Sequence, residues 1–344
     1  MAVCIAHALE QRGEAEILAI VQNTAPLECA GAISVLNQFY KNEDLPIGAY
    51  NISTAGATLE QEDPLPYVPL LVNGWPSKIK STSQVPSAVS VYRKALAGQP
   101  NRSVTISSIG IHTNLAALLK SEADEHSPLE GLELVRQKVK LLAVMGGKFG
   151  GMHGSHGGAP ACNLCGGGKN VHNRLTASAA SSYVAAHWPA ESKLIWSGFE
   201  VGVDIQSGGS GFQRCAVAAA CKKGPNSPPC DPCAAALINY EGGANKSRFS
   251  WDPLTTLVAV RGAAGGSTYE CHGCESAKGC CDGRNVIDPL TGNNTWTLGP
   301  RTNQTFLVLP NATAAAAAGA AIDELLCQPP RGARQRRTNK GADY

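Results

Sequence analysis

The feature that most constrains how this chain can fold is a repeated alternation between continuously apolar segments and amphipathic ones. The apolar segments occupy 15–23, 45–50, 103–110, 139–147 and 192–202. The segments that read as helices occupy 2–12, 29–40, 85–97, 115–124 and 174–187. Short strands that are apolar throughout are typical of parallel sheets buried on both faces. The alternation therefore predicts an α/β fold, in which helices cover a parallel sheet through right-handed crossovers.

We expect a single α/β domain over residues 1–328. A chain of 344 residues can form one large core, and no internal repeat divides it. Two cysteine-rich loop insertions interrupt the alternation, at about 214–235 and about 265–283, and residues 329–344 form a basic tail whose composition is typical of disorder. Because the chain opens on a helix, a parallel sheet would keep a vacant place for a preceding strand. We therefore expect the domain to be incomplete at its N-terminus.

Charge and hydropathy argue against two classes of partner. The formal net charge is only +2, so nothing indicates a nucleic acid or an anionic membrane surface as partner. No stretch of about 18 consecutive apolar residues occurs, and we expect no membrane insertion. The alanine-rich segment 314–321 is too short to span a membrane and predicts a C-terminal helix instead.

Cysteines and glycosylation sequons indicate an oxidising compartment. The chain has 13 cysteines, concentrated between Cys162 and Cys281. Six Asn-x-Ser/Thr sequons begin at Asn51, Asn101, Asn245, Asn293, Asn303 and Asn311. Both features are typical of secreted or endomembrane proteins, although the N-terminal sequence has no signal peptide. We therefore expect disulfides and attached glycans.

Zinc is the alternative use of these cysteines. Three Cys-x-x-Cys pairs have the spacing of zinc ligands: Cys162 and Cys165, Cys230 and Cys233, Cys271 and Cys274. The pairs lie far apart in loop insertions and frame no compact zinc ribbon, so disulfides are favoured over structural zinc. Cys4 and Cys29 fall in core-like segments, where we expect buried free thiols.

A single acid, Asp252, stands between an aromatic residue and a proline in "RFSWDPLTTLVAV" (248–260). The apolar run that follows predicts a helix, and Pro253 suits its first turn because proline has no N–H to leave unpaired. In one interpretation Asp252 caps this helix by accepting hydrogen bonds from free amides of the first turn. In the other, Asp252 is a ligand at the mouth of a site. Thr113 and Asn114 also stand at a predicted helix start, where capping is the simpler interpretation.

Six segments together resemble one family. In chain order they are "EILAIVQNTAP", "DLPIGAY", "IGIHTNLAALL", "LLAVMGGKF", "ACNL" and "SWDPL". Their order and spacing resemble the nucleoside hydrolases of the inosine/uridine-preferring type, and most closely a divergent branch with "CGGG" and "SWDPL" motifs. The resemblance covers nearly the whole chain. It implies a Rossmann-like, mostly parallel sheet, hydrolysis of the N-ribosyl bond of nucleosides or related ribosides, and one Ca²⁺ that activates the attacking water. Family members form dimers or tetramers, which makes a homo-oligomer one alternative for this chain.

The resemblance also implies roles for individual residues. The backbone carbonyl of Thr113 and the carboxylate of Asp252 match calcium ligands, and Asp252 then also contacts the bound riboside. Asn163, in "ACNL", matches an asparagine that binds ribose, and Asn23, in "VQNTAP", matches an asparagine near the sugar. On this basis Asp252 is a ligand rather than a cap.

The chain departs from the family at three places. The N-terminal aspartate motif that binds calcium is absent, Ala161 replaces a glutamate, and Trp251 replaces the histidine that acts as acid for the leaving base. Indole cannot donate a titratable proton, and Ca²⁺ prefers about six to eight oxygen ligands. His153 and His156, in a glycine-rich loop, are candidates to replace the missing acid. The alternative function is therefore a catalytically inactive member that binds nucleosides or sugars.

Overall fold

A computed structural model describes residues 1–50, 65–149, 164–165, 170–209, 231–263, 268–271 and 282–330. Its α-helices are α1 (Ala2–Arg12), α2 (Cys29–Phe39), α3 (Tyr67–Gly74), α4 (Ala88–Ala97), α5 (Thr113–Lys120), α6 (Gly131–Lys138), α7 (Val171–His187), α8 (Phe199–Val203), α9 (Pro232–Glu241), α10 (Trp251–Arg261) and α11 (Ala312–Leu326). Its strands are β1 (Ile20–Gln22), β2 (Ile47–Ala49), β3 (Val104–Ser108), β4 (Val139–Met145), β5 (Lys193–Ser197), β6 (Gln206–Gly208), β7 (Ser247–Phe249), β8 (Tyr269–Cys271), β9 (Gly283–Ile287), β10 (Asn294–Leu298) and β11 (Gln304–Val308).

The centre of the fold is a five-stranded sheet with the strand order β3-β4-β5-β11-β8. Strands β3, β4, β5 and β11 run parallel, and β8 pairs antiparallel with β11 at one edge. β1 and β2 form a separate parallel pair, while β6 with β7 and β9 with β10 form antiparallel pairs. The predicted α/β class with a mostly parallel sheet is confirmed.

Two hydrophobic clusters lie on opposite faces of this sheet, because successive side chains of a strand point to opposite faces. Ile195 of β5 and Leu307 of β11 pack with apolar residues of α1, α2, α9, α10 and α11. Leu194, Trp196 and Phe306 pack with apolar residues of α5, α6 and α7. Helices therefore cover both faces, as a parallel sheet requires.

Three predicted elements differ from the structure. The segment 15–23 contributes only the three residues of β1, because β1 has a pairing partner over that length alone. The segment 192–202 is a strand only as far as Ser197. The helix α8 begins at Phe199, whose amide donates a hydrogen bond to the carbonyl of Gly147 and not to a neighbouring strand of the sheet. The predicted strands and helices leave out the proline-rich region between 50 and 85, but the structure has α3 there, and its apolar residues pack into the core.

A buried disulfide joins Cys4, in the first turn of α1, to Cys233, in the first turn of α9. The prediction of a free thiol at Cys4 is therefore wrong, because its partner lies 229 residues away and only the tertiary fold brings the two together. Cys29 is a free, half-buried thiol. Cys165 and Cys327 are also disulfide-bonded, and the described residues contain no cluster of three or more His, Cys, Asp or Glu that could hold a metal ion.

The described part of the chain contains no helix with the length and apolar character needed to cross a membrane. Most of both cysteine-rich insertions lies outside the described residues, as does the tail from residue 331 onwards. The division into one domain over 1–328 and a tail over 329–344 stays a prediction.

Candidate functional site

The carboxyl ends of the parallel strands lie at one edge of the sheet, which we call the carboxyl edge. Ser108, the last residue of β3, is paired with Val144 of β4. Met145, the last residue of β4, is paired with Ser197, the last residue of β5. The loops that follow these strands therefore begin side by side. In open α/β sheets, ligands bind in the crevice at this edge.

Asn23 and Thr113 come together at the carboxyl edge. Asn23 follows β1, and its Nδ2 donates to the carbonyl oxygen of Ile111 over 3.0 Å. Asn114 donates from its own Nδ2 to the carbonyl oxygen of Gln22 over 2.8 Å. These two bonds fasten the end of β1 to the start of α5. Asn114 therefore does not cap a helix. It positions the predicted site residues, and the sequence around it gave no sign of that role.

Thr113 is the first residue of α5 and is almost fully buried. The N-cap is His112, whose side chain makes no capping bond but lies with Nδ1 2.9 Å from Oγ of Ser181. Burial lowers the pKa of His112 to about 4, so its imidazole is neutral at physiological pH. The capping interpretation of Thr113 is wrong, and its hydroxyl has no hydrogen-bond partner among the described residues.

Asp252 is the second residue of α10 and not its N-cap. The helix begins at Trp251, and the N-cap is Ser250, whose side chain makes no capping bond. The Oγ of Ser250 lies 2.6 Å from Oγ of Ser207 in β6 instead. The capping interpretation of Asp252 is therefore wrong, because the helix begins one residue before it.

The packing of α10 against the sheet places Asp252 at the carboxyl edge. The Oγ1 of Thr256 lies 3.2 Å from Oγ of Ser107, the penultimate residue of β3. Asp252 is about one turn closer to the start of α10 than Thr256, and its neighbour Trp251 bonds to Phe199, just beyond the carboxyl end of β5. The first turn of α10 and the loop that leads from β3 to α5 therefore occupy the same edge of the sheet.

Burial dominates the electrostatics of Asp252. It raises the pKa of Asp252 to about 6, and the positive charges of the Met1 α-amino group and Arg248 counteract it. Burial also raises the pKa of Asp231, the N-cap of α9, to about 6. Two acids with raised pKa values therefore lie in the electrostatic field of one amino group. Asp231 was missed in the sequence because it stands in a cysteine-rich insertion with no motif around it.

Trp251 is fixed by contacts with α8. Its indole Nε1 donates to the carbonyl oxygen of Phe199 over 2.8 Å. Its ring centroid lies 5.2 Å from that of Phe199 and 5.0 Å from that of Phe249. A Cβ atom at Gly202 would come within 2.2 Å of the indole Cδ1, so this contact requires glycine. The indole N–H is therefore already engaged within the protein.

Two tyrosines and an arginine extend this aromatic surface next to Asp252. The ring centroids of Tyr67 and Tyr240 lie 5.9 Å apart, and the guanidinium carbon of Arg248 lies 4.5 Å from that of Tyr240 and 5.7 Å from that of Trp251. Burial raises the pKa of Tyr67 to about 12, and the negative charge of Asp252 adds to that effect. Because α3, α9 and β7 supply these residues from distant parts of the chain, no local pattern predicts them.

Glu200 is a further acid at the carboxyl edge. It lies in the first turn of α8, directly after β5, and its Oε1 accepts a hydrogen bond from the amide of Phe149 over 2.9 Å. Burial raises its pKa. The sequence did contain a signal for it, because an acid just beyond a buried parallel strand lies at the edge where ligands bind.

The remaining predicted site residues, His153, His156 and Asn163, lie outside the described residues, so their roles stay predictions. The structure shows where Thr113 and Asp252 lie, and their roles as calcium ligands also stay predictions. The role of Asn23 near the sugar and that of Trp251 in the place of the acid stay predictions as well.

No protein-family model and no curated protein matches this chain. Among solved structures, an inosine-guanosine nucleoside hydrolase matches with a TM-score of 0.61 and 12% identity, over 94% of this chain and 94% of that one. A purine-preferring ribonucleoside hydrolase from Gardnerella vaginalis matches with a TM-score of 0.58 and 14% identity, over 94% and 96% of the two chains. The type III effector XopQ, in complex with adenosine diphosphate ribose, matches with a TM-score of 0.58 and 12% identity, over 95% and 90%. The chain therefore has the fold of the nucleoside hydrolases.

Proposed function

We propose that this protein binds nucleosides or related ribosides at the carboxyl edge and hydrolyses their N-ribosyl bond. The fold supports this proposal, because several solved structures with the same fold are nucleoside hydrolases. The carboxyl edge also gathers an acid, an aromatic surface and polar side chains, which are the groups that a riboside needs. Likeness at 12–15% identity shows the fold alone, so the activity rests on the residues of the edge.

The observation that carries the proposal is the state of Asp252. Its carboxylate forms no hydrogen bond and no ion pair at contact distance with any other described residue. It is half-buried, and its pKa of about 6 leaves it mainly ionised at neutral pH. A desolvated carboxylate without a structural partner can accept hydrogen bonds from ribose hydroxyls, or a proton from water.

Calcium is the cofactor that the family resemblance implies, and the described residues do not by themselves form a site for it. Asp252 and the carbonyl of Thr113 are the two ligands named for it, whereas Ca²⁺ prefers about six to eight oxygens. The described residues contain no cluster of three or more His, Cys, Asp or Glu side chains suited to a metal ion. The residues that the structure describes therefore do not by themselves fit a bound Ca²⁺.

The chemistry of the edge restricts which ribosides can be cleaved. Loss of the base from ribose passes through an oxocarbenium-like state, which a nearby carboxylate such as Asp252 stabilises. Trp251 has no titratable proton, and its N–H is bound to Phe199. Protonation of the leaving base by Trp251 is therefore excluded. We expect hydrolysis to favour ribosides whose leaving group departs without protonation.

Binding without turnover is the second candidate function. Two points favour it: the described residues contain no cluster of three or more His, Cys, Asp or Glu for a metal ion, and the family resemblance puts Trp251, whose N–H is bound to Phe199, in the place of the acid. In this case the aromatic surface around Trp251 and the carboxylate of Asp252 still recognise a riboside. The two candidates share the binding site and differ only in whether product is released.

The test combines binding and product release in one variant set. Inosine, uridine and p-nitrophenyl riboside are incubated with the protein in calcium or in EDTA, and calorimetry measures binding of the two nucleosides. We expect Asp252→Ala to weaken binding about tenfold or more, since it removes a charged hydrogen-bond partner. The matched control is Asp44→Ala, which removes an exposed acid that pairs with the exposed Lys78.

The outcomes separate the candidates. Release of p-nitrophenol or base that Asp252→Ala abolishes supports hydrolysis, and its loss in EDTA would show that calcium is recruited after all. Nucleoside binding with no product over long incubation selects the second candidate. Binding that is absent, or that Asp252→Ala leaves unchanged, would overturn the proposed site.

A further inference from the structure

The glycosylation sequons of this chain are not equivalent in the folded protein. Four of the sequon asparagines are exposed: Asn101, Asn245, Asn293 and Asn311. They lie between α4 and β3, between α9 and β7, in the β9–β10 hairpin, and directly before α11, respectively. The fifth described sequon, at Asn303, is only partly exposed. We propose that the folded protein carries N-linked glycans at the four exposed asparagines and none at Asn303.

Asn303 is excluded because its amide group is part of the fold. Its Nδ2 donates to the carbonyl oxygen of Pro189 over 3.0 Å and to that of Ser192 over 2.6 Å. The backbone carbonyl oxygen of Asn303 also accepts a hydrogen bond from the backbone amide of Leu194, near the start of β5. A glycan replaces one of the two Nδ2 hydrogens, so at least one of these bonds is lost. The sugar would also need space where the chain before β5 lies.

Asn311 shows the opposite case, because its structural role survives glycosylation. It is the N-cap of α11, and its Oδ1 accepts from the amide of Ala314 over 2.9 Å. The glycosidic bond forms at Nδ2 and leaves Oδ1 free to accept. Capping of α11 and modification at the same residue are therefore compatible.

The secretory pathway supplies every reactant for the transfer of an oligosaccharide to asparagine. The Nδ2 atom of asparagine forms a bond to the anomeric carbon of an oligosaccharide carried on a lipid diphosphate. The bond between that carbon and the diphosphate oxygen breaks, the lipid diphosphate leaves with the electron pair, and Nδ2 loses one proton. The co-reactant is thus a lipid-linked oligosaccharide, and the sequon Asn-x-Ser/Thr is its acceptor.

The disulfides support the proposal independently, because they indicate an oxidising compartment such as the one in which this transfer occurs. Cys4 and Cys233 form a disulfide within the apolar core, and Cys165 and Cys327 are disulfide-bonded as well. Disulfides persist in the endoplasmic reticulum and outside the cell and are rare in the cytosol. The same folding environment therefore supplies both the oxidant and the sugar donor.

The test maps glycans on the full chain, secreted from a eukaryotic host behind a heterologous signal peptide. The folded, monodisperse protein is deglycosylated enzymatically in ¹⁸O-labelled water, which marks each formerly modified asparagine as labelled aspartate for peptide mass spectrometry. We expect the label at Asn101, Asn245, Asn293 and Asn311.

Sequon variants that keep the asparagine give matched controls. Thr313→Ala destroys the Asn311 sequon on an exposed helical position, keeps the cap, and is expected to remove one glycan from the electrophoretic ladder. Thr305→Val destroys the Asn303 sequon with little change in side-chain shape and is expected to leave the ladder unchanged. A label at Asn303 in the folded protein, or no label at the four exposed asparagines, would overturn the proposal.

Discussion

The disulfide between Cys4 and Cys233 provides the sharpest test of how the N-terminal helix is held. It closes a loop with a sequence separation of 229 residues. In the chain-entropy account, cross-linking a loop of that length stabilises the folded state by about 5 kcal/mol at 25 °C, because it restricts the unfolded chain. Cys165 lies within this loop and is itself disulfide-bonded. Such a cross-link already restricts the unfolded chain, so we expect a loss of about 3–5 kcal/mol.

The assay is equilibrium unfolding in urea of the double variant Cys4→Ala/Cys233→Ala, followed by circular dichroism and tryptophan fluorescence. Cys4 and Cys233 are both buried, so their replacement by alanine also leaves a small cavity, which adds to the loss. Cys29→Ala is the control, because it removes a half-buried thiol without cutting a cross-link. We expect that control to lose about 1 kcal/mol or less.

A loss below about 1 kcal/mol in the double variant would refute the reasoning. It would mean that residual structure or other cross-links already restrict the unfolded chain, or that the two cysteines are not bonded. Mass spectrometry of the alkylated parent protein distinguishes these explanations, since free Cys4 and Cys233 would both be labelled.

Two further predictions concern buried charges. Arg93 is almost fully buried, pairs with Asp124 at 2.8 Å and donates to two carbonyls, so Arg93→Met should lower the free energy of unfolding by about 3 kcal/mol, while the exposed neighbour Lys94→Met should not. Asp231 has a folded pKa of about 6 against 3.8 when unfolded, so the folded state binds the extra proton and its stability falls as pH rises from about 4 to about 6. Asp231→Asn keeps the cap acceptor and removes that loss. In urea unfolding we expect the free energy of unfolding of Asp231→Asn to exceed that of the parent protein by up to about 3 kcal/mol at pH 7.5, and to equal it near pH 4. A gain of the same size at both pH values would contradict this explanation.

The sequence predicts those parts of the fold whose signal is local. Helix α1 ends at Arg12, and Gly13 follows with φ of 79°, a conformation that glycine adopts without strain. The apolar runs of β3, β4 and β5 identify the centre of the sheet because each is buried between two layers of helices. Strand length was less predictable. It depends on how far a neighbouring strand extends, and the chain shows this most clearly at β1, which pairs for three residues only.

The candidate site was predictable only where residues follow the ends of central strands. Asn23 and Thr113 belong to that group, and the structure brings them together through Asn114. The surroundings of Asp252 were not predictable, because Tyr67 and Asp231 come from elements far away in the sequence. Their proximity results from packing of α3 and α9, for which the sequence contains no pairing signal.

The two interpretations of Asp252 show why a local motif could not decide between structure and function. Proline is tolerated throughout the first turn of a helix, because none of the first amides has a partner within the helix. An Asp-Pro pair is therefore compatible with a helix that begins at either residue or just before them. The two residues before Asp252 determine where the helix begins. Ser250 hydrogen-bonds to Ser207, and Trp251 packs on Gly202 and donates its indole N–H to the carbonyl of Phe199. These contacts start the helix one residue early, and the carboxylate of Asp252 is left without a capping role in a desolvated position. A group that the fold buries without using is a stronger indication of a ligand than the motif that contains it.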